Sequence, residues 1–166
     1  MKIATPLGGI NVKTNHTSAT DLGLPQYPGS EISHGQQSDK SANVSLGFGS
    51  WQLRVKVANY TSSDSQQKVL AFYRKALGSY GEVIECEGER PVGTPLMTGE
   101  GLTCDASGTD EKDLRFHKNE LQLRAGSRHH QHLVVFKSGP SAATTEFSLI
   151  ELELPHGNES NQRRTN

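Results

Sequence analysis

The residues best suited to chemistry stand together at Arg128-His129-His130-Gln131-His132. Side chains alternate along an extended strand, so His130 and His132 point to one side. That spacing lets two imidazoles share one zinc or other transition-metal ion. A third ligand must then come from elsewhere in the chain, and His117, Asp105, Asp110 and Asp113 are residues of suitable type. The plainer reading is a polar strand entrance, where the histidines border a basic patch with Arg124 and Arg128. A His-x-His pair without further ligands is a weak pattern. Metal binding through the His129 to His132 cluster, with His130 and His132 as ligands, is therefore the second reading of this segment.

Other constellations carry less. Glu85, Glu87 and Glu89 alternate outward on and just beyond a strand. Paired carboxylates can hydrolyse glycosides when one is kept protonated, but nothing apolar beside these raises a pKa, and a solvated face is the better reading. Asp105 to Asp113 is rich in oxygen ligands yet lacks calcium-loop spacing. Gly47-Phe48-Gly49-Ser50 falls in a hairpin turn, not in the strand-to-helix elbow of a serine hydrolase. No phosphate-cradling glycine motif occurs. A small hydrolase is thus the third reading, with no catalytic residue and no cofactor assigned.

The two cysteines bear on compartment. Cys86 shares strand parity with Ile84, and Cys104 with Leu102, so both face inward. They are either bridged or a pair of buried thiols acting as small apolar groups. Both lie on short strands flanking one long loop, which favours a Cys86–Cys104 disulfide constraining the chain by about 3 kcal/mol. A bridge implies export to the periplasm or beyond. Met1 to Leu24 has no apolar signal-peptide core, so as written the chain reads as cytosolic. The cysteines point the other way.

Composition narrows the field. In 166 residues, 17 basic and 18 acidic side chains leave a net charge of −1. A general nucleic-acid binder needs a basic excess to displace counterions from phosphates. No apolar run approaches a membrane span. Hydrophobic residues make up 33%, with 17 glycines, and mean hydropathy is −0.60, which suits one patterned domain with polar loops and loose ends.

The elements that must position these residues alternate like strand almost throughout. Lys2 to Thr5 and Gly9 to Lys13 form an N-terminal hairpin, and Asn15 to Leu24 a connector. Pro25 to Ser30 is a turn in which Tyr27 anchors its own loop. Ala42 to Phe48 and Trp51 to Val57 alternate about a glycine-containing link, a hairpin. Further strands are expected at Glu82 to Glu87, Leu102 to Asp105, Leu114 to Phe116, Leu121 to Ala125, His130 to Lys137 and Thr145 to Leu154. In the last, Phe147 and Leu149 lie on one face while Ile150, Leu152 and Leu154 lie on the other. Either a bulge shifts the register or both faces are buried. Trp51, Phe48 and Phe116 share parity with aliphatic neighbours and read as core.

One segment breaks the alternation. From Asp64 to Gly78, Val69, Leu70, Phe72, Tyr73, Ala76 and Leu77 fall on one arc of a helix. Asp64 with Gln67 suggests a capping box at its start, and Gly78 a left-handed residue at its end. Its only available partner is a sheet face, and Phe72→Ala is expected to cost about 3–5 kcal/mol. The fold class is therefore α+β: a mostly antiparallel sheet of about seven or eight strands packed against one main helix at about 64–78. Residues 1–24 form the hairpin and connector, 25–154 a single domain, and 155–166 a disordered polar tail.

Pro25-Gln26-Tyr27-Pro28-Gly29-Ser30, then Tyr60 through Asp64, then Lys68-Val69-Leu70-Ala71-Phe72-Tyr73-Arg74-Lys75-Ala76-Leu77, resembles an uncharacterised family of small exported bacterial proteins. Its marks are a YPG turn and a V-x-x-F-Y-(R/K)-K-x-L helix. The resemblance covers roughly Leu24 to Leu154 in order of elements, and implies export and a compact α+β domain without any activity. The reading reached from sequence is a non-enzymatic exported domain that binds an envelope protein or small ligand, or serves a structural role there. It has no nucleic-acid partner and no membrane span.

Overall fold

The computed structural model describes residues 2–5, 8–14, 17–33, 42–48, 51–104, 120–137 and 143–155. The alternating segments form one antiparallel sheet of ten strands. These are β1 (Lys2–Thr5), β2 (Gly8–Thr14), β3 (Glu31–Ile32), β4 (Ala42–Phe48) and β5 (Trp51–Ser62). They are followed by β6 (Ile84–Glu87), β7 (Arg90–Pro91), β8 (Leu121–Gly126), β9 (His130–Phe136) and β10 (Thr145–Glu153). The order is β1-β2-β4-β5-β10-β9-β8-β6-β7, with β3 pairing the end of β5. With one α-helix among the described residues, α1 (Gln66–Leu77), the arrangement is the expected α+β fold. The two-residue strands β3 and β7 are too short for alternation to reveal.

The last strand is central: β10 lies between β5 and β9 in unbroken register with both. Buried Phe147 and Leu149 lie on one side, and buried Ser148 and Leu152 on the other. The double pattern in β10 thus reflects a strand covered on both faces, not a bulge.

The helix packs Val69, Tyr73 and Leu77, all fully buried, against Ala58, Tyr60, Leu123, Val134, Phe136, Phe147 and Leu149. Its ends differ from expectation. Ser65, not Asp64, is the residue before the first turn, and no side chain caps it. The Asp64 carboxylate instead accepts hydrogen bonds from Tyr27 Oη at 2.8 Å and Lys68 Nζ at 3.2 Å. Gly78 is right-handed, with φ −58°, and the chain continues through a 3-10 turn, Gly78–Tyr80. Gly81, at φ +131°, makes the reversal. That extra turn carries Tyr80 over the sheet. Phe72 is half-buried, edge-on to Tyr27 and Tyr73 at centroid distances of 5.1 and 5.0 Å.

The connector is part of the core: Ala19, Leu22 and Leu24 are buried around a 3-10 turn, Thr20–Leu22. Tyr27 does more than hold its own loop, because its N–H donates to Tyr73 Oη at 3.0 Å. On the opposite side of the sheet Ile84, Cys86, Leu102 and Cys104 form a second buried cluster, with Cys86 and Cys104 bridged. Leu102 to Cys104 do not pair as a strand. The Leu102 N–H bonds to Thr98 Oγ1, and its carbonyl accepts from the Thr98 N–H. The expected strand at Leu114 to Phe116, the core assignments of Phe116 and of the Phe48 and Trp51 side chains, and the tail beyond Pro155 lie outside the described residues.

Candidate functional site

The antiparallel registers set side chains in rows across one face of the sheet. Under α1, Tyr60, Phe147, Phe136 and Leu121 make one row, and Ala58, Leu149, Val134 and Leu123 the next. Two residues further along the same strands, the row reads Lys56, Glu151, His132 and Ala125. The row after that reads Arg54, Glu153 and His130. Parity is continuous, so the polar rows share the face of the aromatic core and begin where its cover ends. Opposite charges in adjacent positions on paired strands attract, and Glu151 sits between Lys56 and His132.

His130 and His132 do point to the same side, as their spacing predicts. The third donor they meet is Glu151. His130 Nε2 lies 2.9 Å from Glu151 Oε1, and His132 Nε2 lies 4.0 Å from the same oxygen. One donor atom from each of the three falls within 4.8 Å of the others. Two ligands on a tetrahedral zinc stand about 3.3 Å apart, given metal–ligand bonds of about 2.0–2.1 Å, so these separations bracket the required value. His117, Asp105, Asp110 and Asp113, expected as sources of the third ligand, lie outside the described residues. Glu151 was the residue missed. Its cue in the sequence was the polar run Glu151 and Glu153 ending an apolar strand, but nothing local says that this strand pairs with the histidine strand.

Each member is held differently. A hairpin turn positions His130: its N–H and carbonyl both pair with Ser127, and Gly126 adopts φ +106° at the preceding strand end. An added side chain at Gly126 would strike the His130 carbonyl. The His130 side chain is half exposed. His132 is 3% exposed, its ring stacked on Tyr80 with centroids 3.7 Å apart and planes 19° from parallel. The Tyr80 hydroxyl in turn donates to the carbonyl of Gly23, which takes φ +70° and leaves no room for a side chain against the phenol. Lys56 orients Glu151, donating to Oε2 at 2.6 Å, and it also donates to the Asp21 carbonyl at 3.0 Å. The carboxylate is thereby divided, with Oε2 committed to the lysine and Oε1 facing the imidazoles.

The electrostatics favour a neutral imidazole beside an ionised carboxylate. Burial lowers the His132 pKa, and the neighbouring His130 adds to this against the opposing pulls of Glu151 and of the Leu22 backbone. For Glu151, burial pushes the carboxyl up, but hydrogen bonds from Lys56 and His130 outweigh it and leave the pKa below the ordinary value. A neutral imidazole and a charged carboxylate are the forms that bind metal. His132 Nδ1 is buried without a hydrogen-bond partner, a state that costs about 1–3 kcal/mol.

The remaining expected residues are not drawn into this cluster. His129 is exposed at the turn, and Arg128 donates to the Gly101 carbonyl at 3.1 Å. Arg124 points to the opposite face, buried, with its guanidinium on Gln122 Oε1. Glu85 is ion-paired with Arg74, while Glu87 and Glu89 are exposed. Compared with known proteins, the chain matches no family model, no curated protein and no solved structure.

Proposed function

We propose that this protein is a transition-metal-binding domain working in an oxidising compartment, with His130, His132 and Glu151 as ligands for zinc or copper. The observation that carries the reading is the convergence of two imidazole nitrogens and one carboxylate oxygen within 4.8 Å on a rigid sheet. Neutral nitrogen donors suit zinc and copper, and three protein ligands leave a fourth position for water or a ligand. The half-exposed His130 edge supplies access. Lys56 does for Glu151 what hydrogen-bonded neighbours do for metal ligands generally, fixing the carboxylate orientation. Export is supported by the Cys86–Cys104 bridge, because disulfides persist outside reducing compartments, and by the resemblance of the YPG turn and helix to small exported proteins. Among the described residues no helix is long and apolar enough to cross a membrane.

The same donor set serves hydrolytic zinc centres, which add a carboxylate base beside the metal-bound water. Glu153 is the nearest candidate in register with His130, but it is paired with Arg54 at 3.3 Å. Binding, not turnover, is the reading this arrangement favours.

Isothermal titration of tag-free, chelator-stripped protein with zinc chloride tests it. Saturable binding of about one equivalent at micromolar affinity or tighter is expected, with His130→Ala, His132→Ala and Glu151→Gln each weakening it at least about tenfold. Absence of saturable heat, together with a melting temperature indifferent to zinc and copper, would leave only a charged ladder of Lys56, Glu151 and His130 and would end the metal reading.

A further inference from the structure

Beside the histidine cluster the same face of β2, β4 and β5 forms a cavity of about 240 Å³ lined by Asn11, Asn43, Ser45, Arg54 and Lys56. The register explains their meeting. Asn11 opposes Ser45, Ser45 opposes Arg54, and Asn43 opposes Lys56, so the polar rows continue away from the imidazoles across three adjacent strands. We infer that this cavity is a binding site for a small oxyanion.

The chemistry of the lining carries the inference. Among the described residues its lining holds two cations and no carboxylate, with neutral groups that can donate hydrogen bonds around them. Glu151 and Glu153, which balance those cations, stand on β10, on the side away from β4 and β2. Lys56 is committed, to Glu151 at 2.6 Å and to the Asp21 carbonyl. Arg54 is not held so closely: it is half exposed and meets Glu153 through one nitrogen at 3.3 and 3.4 Å. A guanidinium presents a planar fork of donors matched to carboxylate or tetrahedral oxyanions, and this one retains donors to offer. The asparagine amides and Ser45 hydroxyl supply the further donors that complete an anion's shell. Among the described residues no aromatic ring lines the cavity, which disfavours a ligand recognised by stacking. A small oxyanion fits; an extended polyanion would also meet Glu151 and Glu153.

The site does not rest on the metal reading, so the test is run on protein stripped of metal and then dialysed free of chelator. Sodium sulfate and sodium acetate are titrated at constant ionic strength, with chloride as the balancing ion, and the signals of Arg54 Nε–H and of the Asn11 and Asn43 side-chain amides are followed by nuclear magnetic resonance. Saturable shifts confined to these groups are expected with at least one of the two salts. The sulfate arm reports a tetrahedral ligand and the acetate arm a carboxylate. Arg54→Gln should weaken the response about tenfold or more, and Asn43→Ala by a few fold, with the rest of the spectrum confirming that both variants fold. Linear shifts spread over all basic residues, or saturation unchanged in Arg54→Gln, would overturn the proposal.

Discussion

Two ends of one sheet face can be compared directly, because the same three strands build both. Towards one end β5, β10 and β9 present Tyr60, Phe147 and Phe136 beneath α1; towards the other they present Lys56, Glu151 and His132. Strand geometry, parity and pairing are the same at both ends. What differs is the cover. Where α1 excludes water, burying each large apolar side chain stabilises by about 1.5–3 kcal/mol. Past the helix, among the described residues, the two 3-10 turns reach over the sheet through Leu22 and Tyr80, and charge can be buried on one condition: each buried polar group must find a partner. Glu151 meets that condition through Lys56 and His130, whereas His132 Nδ1 does not. The comparison teaches that the polar end is an extension of the core face held at some cost to stability, which is how functional sites commonly arise.

The largest test strikes the covered end. Tyr73 is fully buried, meets Phe72 edge-on and Phe147 at a tilt, and accepts the Tyr27 N–H. Tyr73→Ala should cost about 3–5 kcal/mol in chemical denaturation. Phe72→Ala, at a half-buried position, should cost clearly less, and equal losses at the two positions would refute the assignment of the core to the Val69, Tyr73 and Leu77 stripe. Next in size, removing the staple on the opposite side by Cys86→Ala with Cys104→Ala should lower stability by about 3 kcal/mol. Hydrogen exchange should then rise around β6 and residues 92–104 while the helix-covered rows keep most of their protection. A uniform loss would mean that the two faces do not unfold separately.

A third test converts one end into the other. In metal-free protein His132→Leu removes an orphaned buried nitrogen and continues the apolar row, and it should stabilise by about 1–2 kcal/mol while abolishing the zinc response. Destabilisation instead would show that the ring is there for packing on Tyr80. The smallest effect is on pH dependence, again without metal. The His132 pKa is lowered on folding, so the unfolded chain takes up a proton first, and stability falls as pH drops below the ordinary histidine value of 6.5. Glu151, also lowered, contributes stability above its ordinary value of 4.5 that is lost as pH falls further. Melting temperature should therefore decline on acidification in two stages, and His132→Leu should erase the first. A wild-type profile flat from pH 7 to about 5 would contradict the His132 assignment.

Much of the fold was legible because its causes are local. Alternation marked β1, β2, β4, β6, β8, β9 and β10 within about two residues and the start of β5, which runs past the expected Val57 to Ser62, and the apolar arc marked α1. The helix ends were misread because tertiary partners claimed the signals: Tyr27 took the Asp64 carboxylate that would have capped the first turn, and packing of Tyr80 carried the chain past Gly78 in a right-handed turn. The short strand expected from Leu102 failed for a similar reason, since bonds to Thr98 replaced a ladder.

By itself the sequence determined which residues alternate, which share a face within each strand, and therefore that His130 and His132 would face one side and that Cys86 would point inward. Those are properties of a single extended chain, set by the two-residue repeat of its side chains. Only the tertiary structure decided that β10 enters the centre of the sheet. That placement is enforced by burial of both its faces, far along the chain from β5, and it set Glu151 between Lys56 and the imidazoles. It also decided where the helix ends over the sheet, and so which row of one continuous face became apolar core and which became a cluster of paired polar groups.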